Sequence, residues 1–298
     1  MKVDDKNSFI QHRIQQESDY FSNIDKPRPI DAILTLELNT TELCNRTCVF
    51  CPRHDPKVYP NRNLHMSVEV AESIAKRLGD EEYRGKISFT GFSENFLNKK
   101  FFDIVKIFRN HLPNNVLECN TNGDFLTEDN AKVIFNNGLN LLYVNLYDSM
   151  EQIEKFDKLF SNAKINKNQY KYRAHYKEGA IEYNNRAGNI TWLGFEDSDI
   201  ESLKGKPCYY PFYKMFVDYD GSVLFCCNDW GKDIVVGNLV ENTLTDIWMS
   251  DKLFEIREKL KVGDRDFTPC KDCSVNGQMF GEKSFYIIND YYESSNNK

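Results

Sequence analysis

The placement of its cysteines constrains this 298-residue chain more than any other feature. Three form the run Cys44-Asn-Arg-Thr-Cys48-Val-Phe-Cys51, and the other six are Cys119, Cys208, Cys226, Cys227, Cys270 and Cys273. An odd total of nine, in a large chain with no export signal, argues against a disulfide framework and for reduced thiols, so the clusters read as metal-ligand sets. Three thiolates on one short loop hold three corners of a cubane iron–sulfur cluster and leave its fourth iron open, where a small molecule can coordinate. A zinc knuckle completed by His54 is the competing reading.

Composition narrows the field further. The 38 basic and 45 acidic residues give a net charge of −7, which disfavours nonspecific capture by nucleic acid or anionic lipid. With 41% apolar residues, 21 Phe and 16 Tyr, the chain can bury a sizeable core. The first 25 residues are polar, and no apolar run approaches the roughly 18 residues of a membrane span. A cytoplasmic protein with no membrane partner is expected.

Leucines at 34, 36 and 38 alternate with polar residues, so Ala32 to Asn39 reads as a strand ending just before the first cysteine. Ser67 can cap a helix through about Leu78; a strand at 86–90, a helix at 99–109, a strand at 116–120, a helix at 127–136, a strand at 141–146, a helix at 150–161 and a strand at 170–176 follow. This alternation predicts parallel pairing with right-handed crossovers, either an open sheet or a barrel, with function at the C-terminal ends of the strands. Cys44, Gly91, Asn122 and Asn145 fall there. After about residue 195 the pattern changes to a hairpin turning at Asp220-Gly221, a helix over 245–261 and a Cys-rich loop. The expected division is a polar lead over 1–29, a main domain over 30–195, a small Cys-rich domain over 196–285 and a polar tail over 286–298, frayed from Tyr291 onward.

CxxxCxxC with Phe50 before its last cysteine, placed after the first strand of such a domain, resembles the radical S-adenosylmethionine (SAM) superfamily. Phe89-Thr-Gly91-Phe92-Ser93-Glu94 resembles its glycine-rich stretch, and Thr121-Asn122-Gly123 its later TNG. The resemblance implies an α/β fold, a partial (β/α)6 barrel, with Cys44, Cys48 and Cys51 holding a [4Fe-4S] cluster whose open iron binds SAM. It also implies cofactor contacts from Phe50, Gly91, Phe92, Ser93, Glu94, Asn122 and Asn145, although Phe92 stands where a second glycine is usual. Reductive cleavage of SAM would yield a 5′-deoxyadenosyl radical that abstracts hydrogen from substrate. The electron would come from a donor such as flavodoxin or ferredoxin.

The later cysteines, with 17, 43 and two residues between Cys208, Cys226, Cys270 and Cys273, fit a closed iron–sulfur cluster or a zinc site equally. Pro207-Cys208, Val217-Asp-Tyr-Asp-Gly221, Gly237-Asn-Leu239 and Asp246-Ile-Trp248 resemble the SPASM/twitch extension of radical SAM enzymes, which carries auxiliary [4Fe-4S] clusters. Five cysteines beyond residue 200 cannot fill two such clusters, so one is expected, on Cys208, Cys226, Cys270 and Cys273, with Cys227 as an alternative to Cys226. Similarity to the aminocyclitol-oxidising members implies oxidation of an alcohol to a carbonyl, the auxiliary cluster taking one electron. Candidates for handling the hydroxyl proton are Tyr147, Arg173, His175, Arg186 and Asp229, the arginines positioning or acidifying rather than deprotonating.

About 30 polar residues precede the first strand, too few for a leader-peptide recognition domain, so the expected substrate is a small molecule, a sugar or aminocyclitol. Sugar epimerisation, with Cys119 or Cys227 as a thiol hydrogen donor, dehydration and peptide modification are the alternative reactions. A non-enzymatic iron–sulfur or zinc protein is the alternative class.

Overall fold

The computed structural model describes residues 6–176 and 183–296. It begins with helix α1 (Lys6–Ser22). Strand β1 (Thr35–Leu38) leads through the cysteine loop to α2 (Val68–Asp80), whose N-cap Ser67 accepts a hydrogen bond from the Val70 N–H. Then come β2 (Lys86–Phe89), α3 (Phe101–His111), β3 (Leu117–Thr121), α4 (Glu128–Asn136, capped by Thr127), β4 (Leu141–Leu146), α5 (Glu151–Asn162) and β5 (Tyr170–Ala174). Short helices α6 (Asp197–Glu201) and α7 (Tyr210–Tyr213) precede β6 (Lys214–Val217), β7 (Ser222–Leu224) and β8 (Val235–Asn238). Helices α8 (Leu244–Trp248), α9 (Asp251–Lys261) and α10 (Glu282–Asn296) complete the chain.

The sheet order is β5-β4-β3-β2-β1-β6-β7-β8. The first six strands pair in parallel and β7 and β8 add an antiparallel hairpin, so the sheet is the expected partial barrel, open beyond β5. Helices α2 to α5 pack outside it through apolar faces such as Ile74, Leu78, Ile104, Phe108, Ile134 and Phe160, all fully buried. β6 sits beside β1, with Thr35 opposite Lys214 and Glu37 opposite Phe216. The segment expected inside the small domain therefore supplies the sixth barrel strand.

Three expectations are corrected. The polar lead forms α1, whose Arg13 reaches a fully buried Glu118 on β3 at 3.0 Å. The single helix expected over 245–261 is two, because Ser250 ends α8 and caps α9 through the Leu253 N–H. The expected frayed tail is α10, docked through Phe285 and Ile288; residues 1–5 and 297–298 of the expected lead and tail lie outside the described residues.

Candidate active site

The loop leaving β1 is organised around Arg53, which is 4% exposed. Its guanidinium donates to the carbonyls of Glu42 and Phe92 and to Asn61 Oδ1, and it lies 4.7 Å over the Tyr59 ring. Asn61 in turn accepts from the Cys44 N–H at 2.9 Å and donates to the Cys44 carbonyl at 3.0 Å. So braced, Cys44, Cys48 and Cys51 line one cavity. Burial, then repulsion from Cys51 and Cys44, pushes the Cys48 thiol up to about 12. Burial also raises Cys44 and Cys51, against N–H donors from Arg46 and Arg53 respectively. Three half-buried thiols on one short loop, with backbone donors on the Cys44 and Cys51 sulfurs, fit an iron–sulfur core, whose positive metal charge removes the cost of three thiolates. His54, the alternative ligand, has its Nδ1 against the Thr47 carbonyl at 3.1 Å and its ring 5.4 Å from Trp192.

Beside the cysteines the strand ends form a polar crevice. Gly91 is required there, since a Cβ would lie 2.8 Å from Asn39 Cβ and its φ is +152°. Glu94 is 2% exposed; its carboxylate accepts from the Asn122 N–H at 2.7 Å, Thr121 Oγ1 at 2.8 Å and the Phe96 N–H at 3.2 Å. Burial nevertheless pushes the Glu94 carboxyl up to about 7. Asn122 donates to Asn45 Oδ1, and Asn145 donates to the Thr121 carbonyl while accepting from His175. Phe50 stacks between near-parallel rings, 4.8 Å from Tyr183, 5.4 Å from His175 and 5.8 Å from Tyr147.

Phe92, expected as a cofactor contact, lines the cavity with its backbone polar groups already paired. Its N–H is taken by Asn39 Oδ1 and its carbonyl by Arg53, and its ring packs 4.5 Å from Phe216 and 4.2 Å from Trp230. It is wall. Tyr59, Phe92, Phe216, Leu224 and Trp230 form one cluster against which both Cys51 and Cys227 pack.

The second cysteine set gathers where α7 begins and where the 270–275 turn approaches it. Backbone N–H groups of Tyr210, Asn228 and Val275 donate to the sulfurs of Cys208, Cys226 and Cys273 respectively, and Ala187 donates a further one to Cys273. Burial raises Cys208 to about 11 and lifts Cys270 and Cys273, while Arg265 opposes all three shifts. Such a nest of N–H donors and a guanidinium suits thiolates sharing an iron–sulfur core. Arg186, Ala187 and Gly188 run consecutively at φ +49°, +53° and +84°, wrapping this set and turning Arg186 into the cavity. Cys227, not Cys226, lines that cavity.

The cavity holds about 800 Å³ and runs the depth of the barrel, from the first cysteines past Cys227 to α1. It brings together Tyr147, Arg173, His175 and Arg186, but their environments set their abilities apart. Burial, reinforced by Arg173 and Arg186, pushes His175 down to about 3, so the ring stays neutral and is a poor proton acceptor. Burial raises the Tyr147 hydroxyl well above its ordinary value. Asp229, expected among the candidate bases, is fully buried outside the cavity lining and accepts from the Asp233 and Ile234 N–H groups, both at 2.9 Å; it closes a turn. Arg173 donates to Asn120 Oδ1 at 3.0 Å and lies over Tyr143; Arg186 reaches Asn228 Oδ1 at 3.5 Å. Cys119 is fully buried outside that lining and donates to the Asn120 carbonyl, which removes its reading as a hydrogen donor. Two features escaped the sequence. One is the ion pair of Glu37 with Lys214 inside the cavity, and the other is Lys232 bridging the buried carboxylates of Glu42 and Asp218. Both join residues far apart in the chain.

Family models match this architecture in two pieces: the radical SAM superfamily over residues 38–172, and the SPASM iron–sulfur cluster-binding domain over residues 208–274. The chain carries a radical SAM domain and a SPASM domain, and its cofactors are SAM and two [4Fe-4S] clusters. Among individual proteins it is similar to the S-adenosyl-L-methionine-dependent 2-deoxy-scyllo-inosamine dehydrogenase of Niallia circulans, at 26% identity over 255 residues, covering 85% of this chain and 97% of that protein. A crystal structure of BtrN in complex with AdoMet and 2-DOIA matches with a TM-score of 0.71 and 25% identity, covering 84% of this chain and 96% of the other. Native anSMEcpe with bound AdoMet shares the fold, with a TM-score of 0.52 and 16% identity over 88% of this chain and 99% of the other. Among the described residues no helix is long and apolar enough to cross a membrane.

Proposed function

We propose that this enzyme is an oxidoreductase that converts a secondary alcohol of a small polar substrate, an aminocyclitol or related sugar, to a carbonyl. One observation carries the reading. A single cavity is lined by Cys44, Cys48 and Cys51 and also by Cys227 and Asn228 of the second cysteine loop, so one bound molecule can face both. The similarity to the 2-deoxy-scyllo-inosamine dehydrogenase supports the substrate class.

In this reading Cys44, Cys48 and Cys51 hold the first cluster, and Cys208, Cys226, Cys270 and Cys273 hold the second. When bound, SAM and these clusters supply hydrogen-atom abstraction and an electron acceptor. The chain does the rest. Glu94, Ser93, Asn122 and Asn145 bind the polar end of SAM, and Gly91 admits it; Phe50, Tyr147 and His175 form the flat wall of its site. Arg173 and Arg186 orient substrate hydroxyls, since each offers a fixed fork of donors and neither can act as a base at neutral pH. Phe92, Phe216 and Trp230 exclude water along one side. A flavodoxin or ferredoxin is the proposed electron donor.

The test is anaerobic reconstitution, iron analysis, and incubation with SAM, dithionite and 2-deoxy-scyllo-inosamine deuterated at its carbinol carbons. About eight irons per chain, deuterium in 5′-deoxyadenosine and one ketone formed per cleavage are the expected results. Cleavage without deuterium transfer from this compound or related aminocyclitols and sugars would remove the substrate class.

A further inference from the structure

Removing a hydrogen atom from a carbinol carbon leaves a hydroxyl proton and one electron still to be taken. The residues nearest the first cysteines do not take the proton well. His175 is held neutral with depressed basicity, Tyr147 holds its proton, and the guanidinium groups of Arg173 and Arg186 are always charged. Three carboxylates line the cavity, and two of them belong to α1 at its far end. Of those, Glu17 accepts from the Gly281 N–H at 3.1 Å and Asp19 from Gln15 at 2.7 Å. The third is Glu37, on β1 inside the barrel.

We propose that Glu37, clamped by Lys214, is the acceptor of the substrate hydroxyl proton. The inference rests on the dehydrogenase reading above. β1 and β6 pair side by side, so alternation turns Glu37 and Lys214 into the same interior. Lys214 Nζ donates to Glu37 Oε1 at 2.9 Å and lies 5.1 Å over the Tyr210 ring, and the two charged side chains are 14% and 18% exposed. Among the described residues Glu37 Oε2 accepts from no protein donor, which leaves it for a hydroxyl in the cavity. Arg13 from α1, Tyr213 from α7 and Cys227 from the auxiliary loop also feel the Glu37 charge. The proton acceptor thus sits beside the loop of the electron acceptor.

The balance closes. Glu37 takes the proton as the O–H bond breaks and the C–O bond becomes a double bond, and the remaining electron would pass to the SPASM [4Fe-4S] cluster that Cys208, Cys226, Cys270 and Cys273 would hold. A hydroxyl on a carbon radical is far more acidic than the parent alcohol, so an ion-paired carboxylate is basic enough.

Two measurements on Glu37→Gln test this, with 2-deoxy-scyllo-inosamine as the probe: calorimetric affinity without reductant, and ketone formed per 5′-deoxyadenosine with it. The expected result is retained affinity, continued cleavage with deuterium transfer, and a ketone ratio lowered by at least about 100-fold. Glu37→Asp should recover part of it. A variant ratio equal to wild type overturns the proposal, and so does a loss matched by weakened affinity, which would make Glu37 a recognition group for the amine. If the lone buried Lys214 unfolds the variant, Glu37→Gln with Lys214→Met removes both charges and carries the same expectation. Failure of the wild type itself to move deuterium from the probe overturns the reading of function, and this inference with it.

Discussion

Asn185 and Ser274 exchange two hydrogen bonds, the Asn185 N–H donating to Ser274 Oγ at 2.9 Å and the Ser274 N–H to Asn185 Oδ1 at 3.0 Å. The clasp ties the segment bearing Arg186 to the turn bearing Cys270 and Cys273. Asn185 is 4% exposed and also donates to the Asp272 carbonyl at 2.6 Å. Asn185→Ala leaves the half-buried Ser274 N–H without its partner, a loss of roughly 1 kcal/mol that falls on the second cluster's pocket. Chelation at room temperature should strip the variant of about four irons faster than wild type while 5′-deoxyadenosine formation persists. Equal iron retention would show that the clasp does not support the pocket.

The choice between Cys226 and Cys227 can be made by iron analysis. Cys226 accepts from the Asn228 N–H at 3.4 Å, as a ligating sulfur does, whereas Cys227 faces the cavity near Lys214 and Arg186. Cys226→Ala should lose about four irons per chain, and Cys227→Ala should lose none. The reverse outcome would exchange the two assignments.

In the proposed SAM site, Glu94 should make binding depend on pH. Its burial holds the carboxyl up to about 7, so above that pH the side chain is ionised and ready to receive the ammonium of SAM. Below it, binding must first expel a proton. The dissociation constant for SAM should therefore rise roughly tenfold between pH 8 and pH 6, and Glu94→Gln should bind weakly with a flat profile. A wild-type profile as flat as the variant's would show that Glu94 does not meet the ammonium.

How far the sequence could be read follows from the range of each signal. The alternation of β1 and the caps Ser67 and Thr127 are local, and the strands and helices of the main domain emerge within a few residues of their observed ends. The cysteine loop was legible because its spacing is itself the chemistry. Glu37 and Lys214 were not, since each reads alone as an ordinary polar strand residue, and 177 positions separate them. Asp229 misled for the opposite reason. It is an acid beside the cysteines, but backbone N–H groups that the chain brings back four and five residues later consume it. The polar lead carries no strong apolar stripe; it is fixed by Arg13 finding Glu118 across 105 residues.

Arg186 should separate cofactor cleavage from product formation. It lies in the left-handed region and points at the cavity between Cys51 and Cys227, both of which feel its charge. Arg186→Gln keeps some donors and loses the charge. Ketone formation should fall by about 10- to 100-fold, the worth of a charge-assisted hydrogen bond, while the rate of 5′-deoxyadenosine formation changes little. Equal losses in both would place Arg186 with the SAM site instead.

The C-terminal helix is expected to be a stability element and not a catalytic one. Arg257 on α9 is fully buried with no carboxylate partner among the described residues: it donates to the Pro211 carbonyl at 3.0 Å, to the Trp248 carbonyl at 2.6 Å and to the Tyr292 hydroxyl at 2.8 Å, and lies 4.0 Å over the Trp248 ring. Burial pulls its guanidinium down to about 10, a sign that neutral acceptors barely offset the loss of water. Removing one of them should tell. Tyr292→Phe deletes a single oxygen at the surface end of this network and leaves the packing of the ring on Phe254 in place. The expected loss is about 1–3 kcal/mol, seen as a melting temperature several degrees lower by calorimetry, with the ketone yield per 5′-deoxyadenosine unchanged. An unchanged melting temperature would mean that water replaces the hydroxyl at no cost, and that α10 is held by packing such as that of Phe285, Ile288 and the Tyr292 ring.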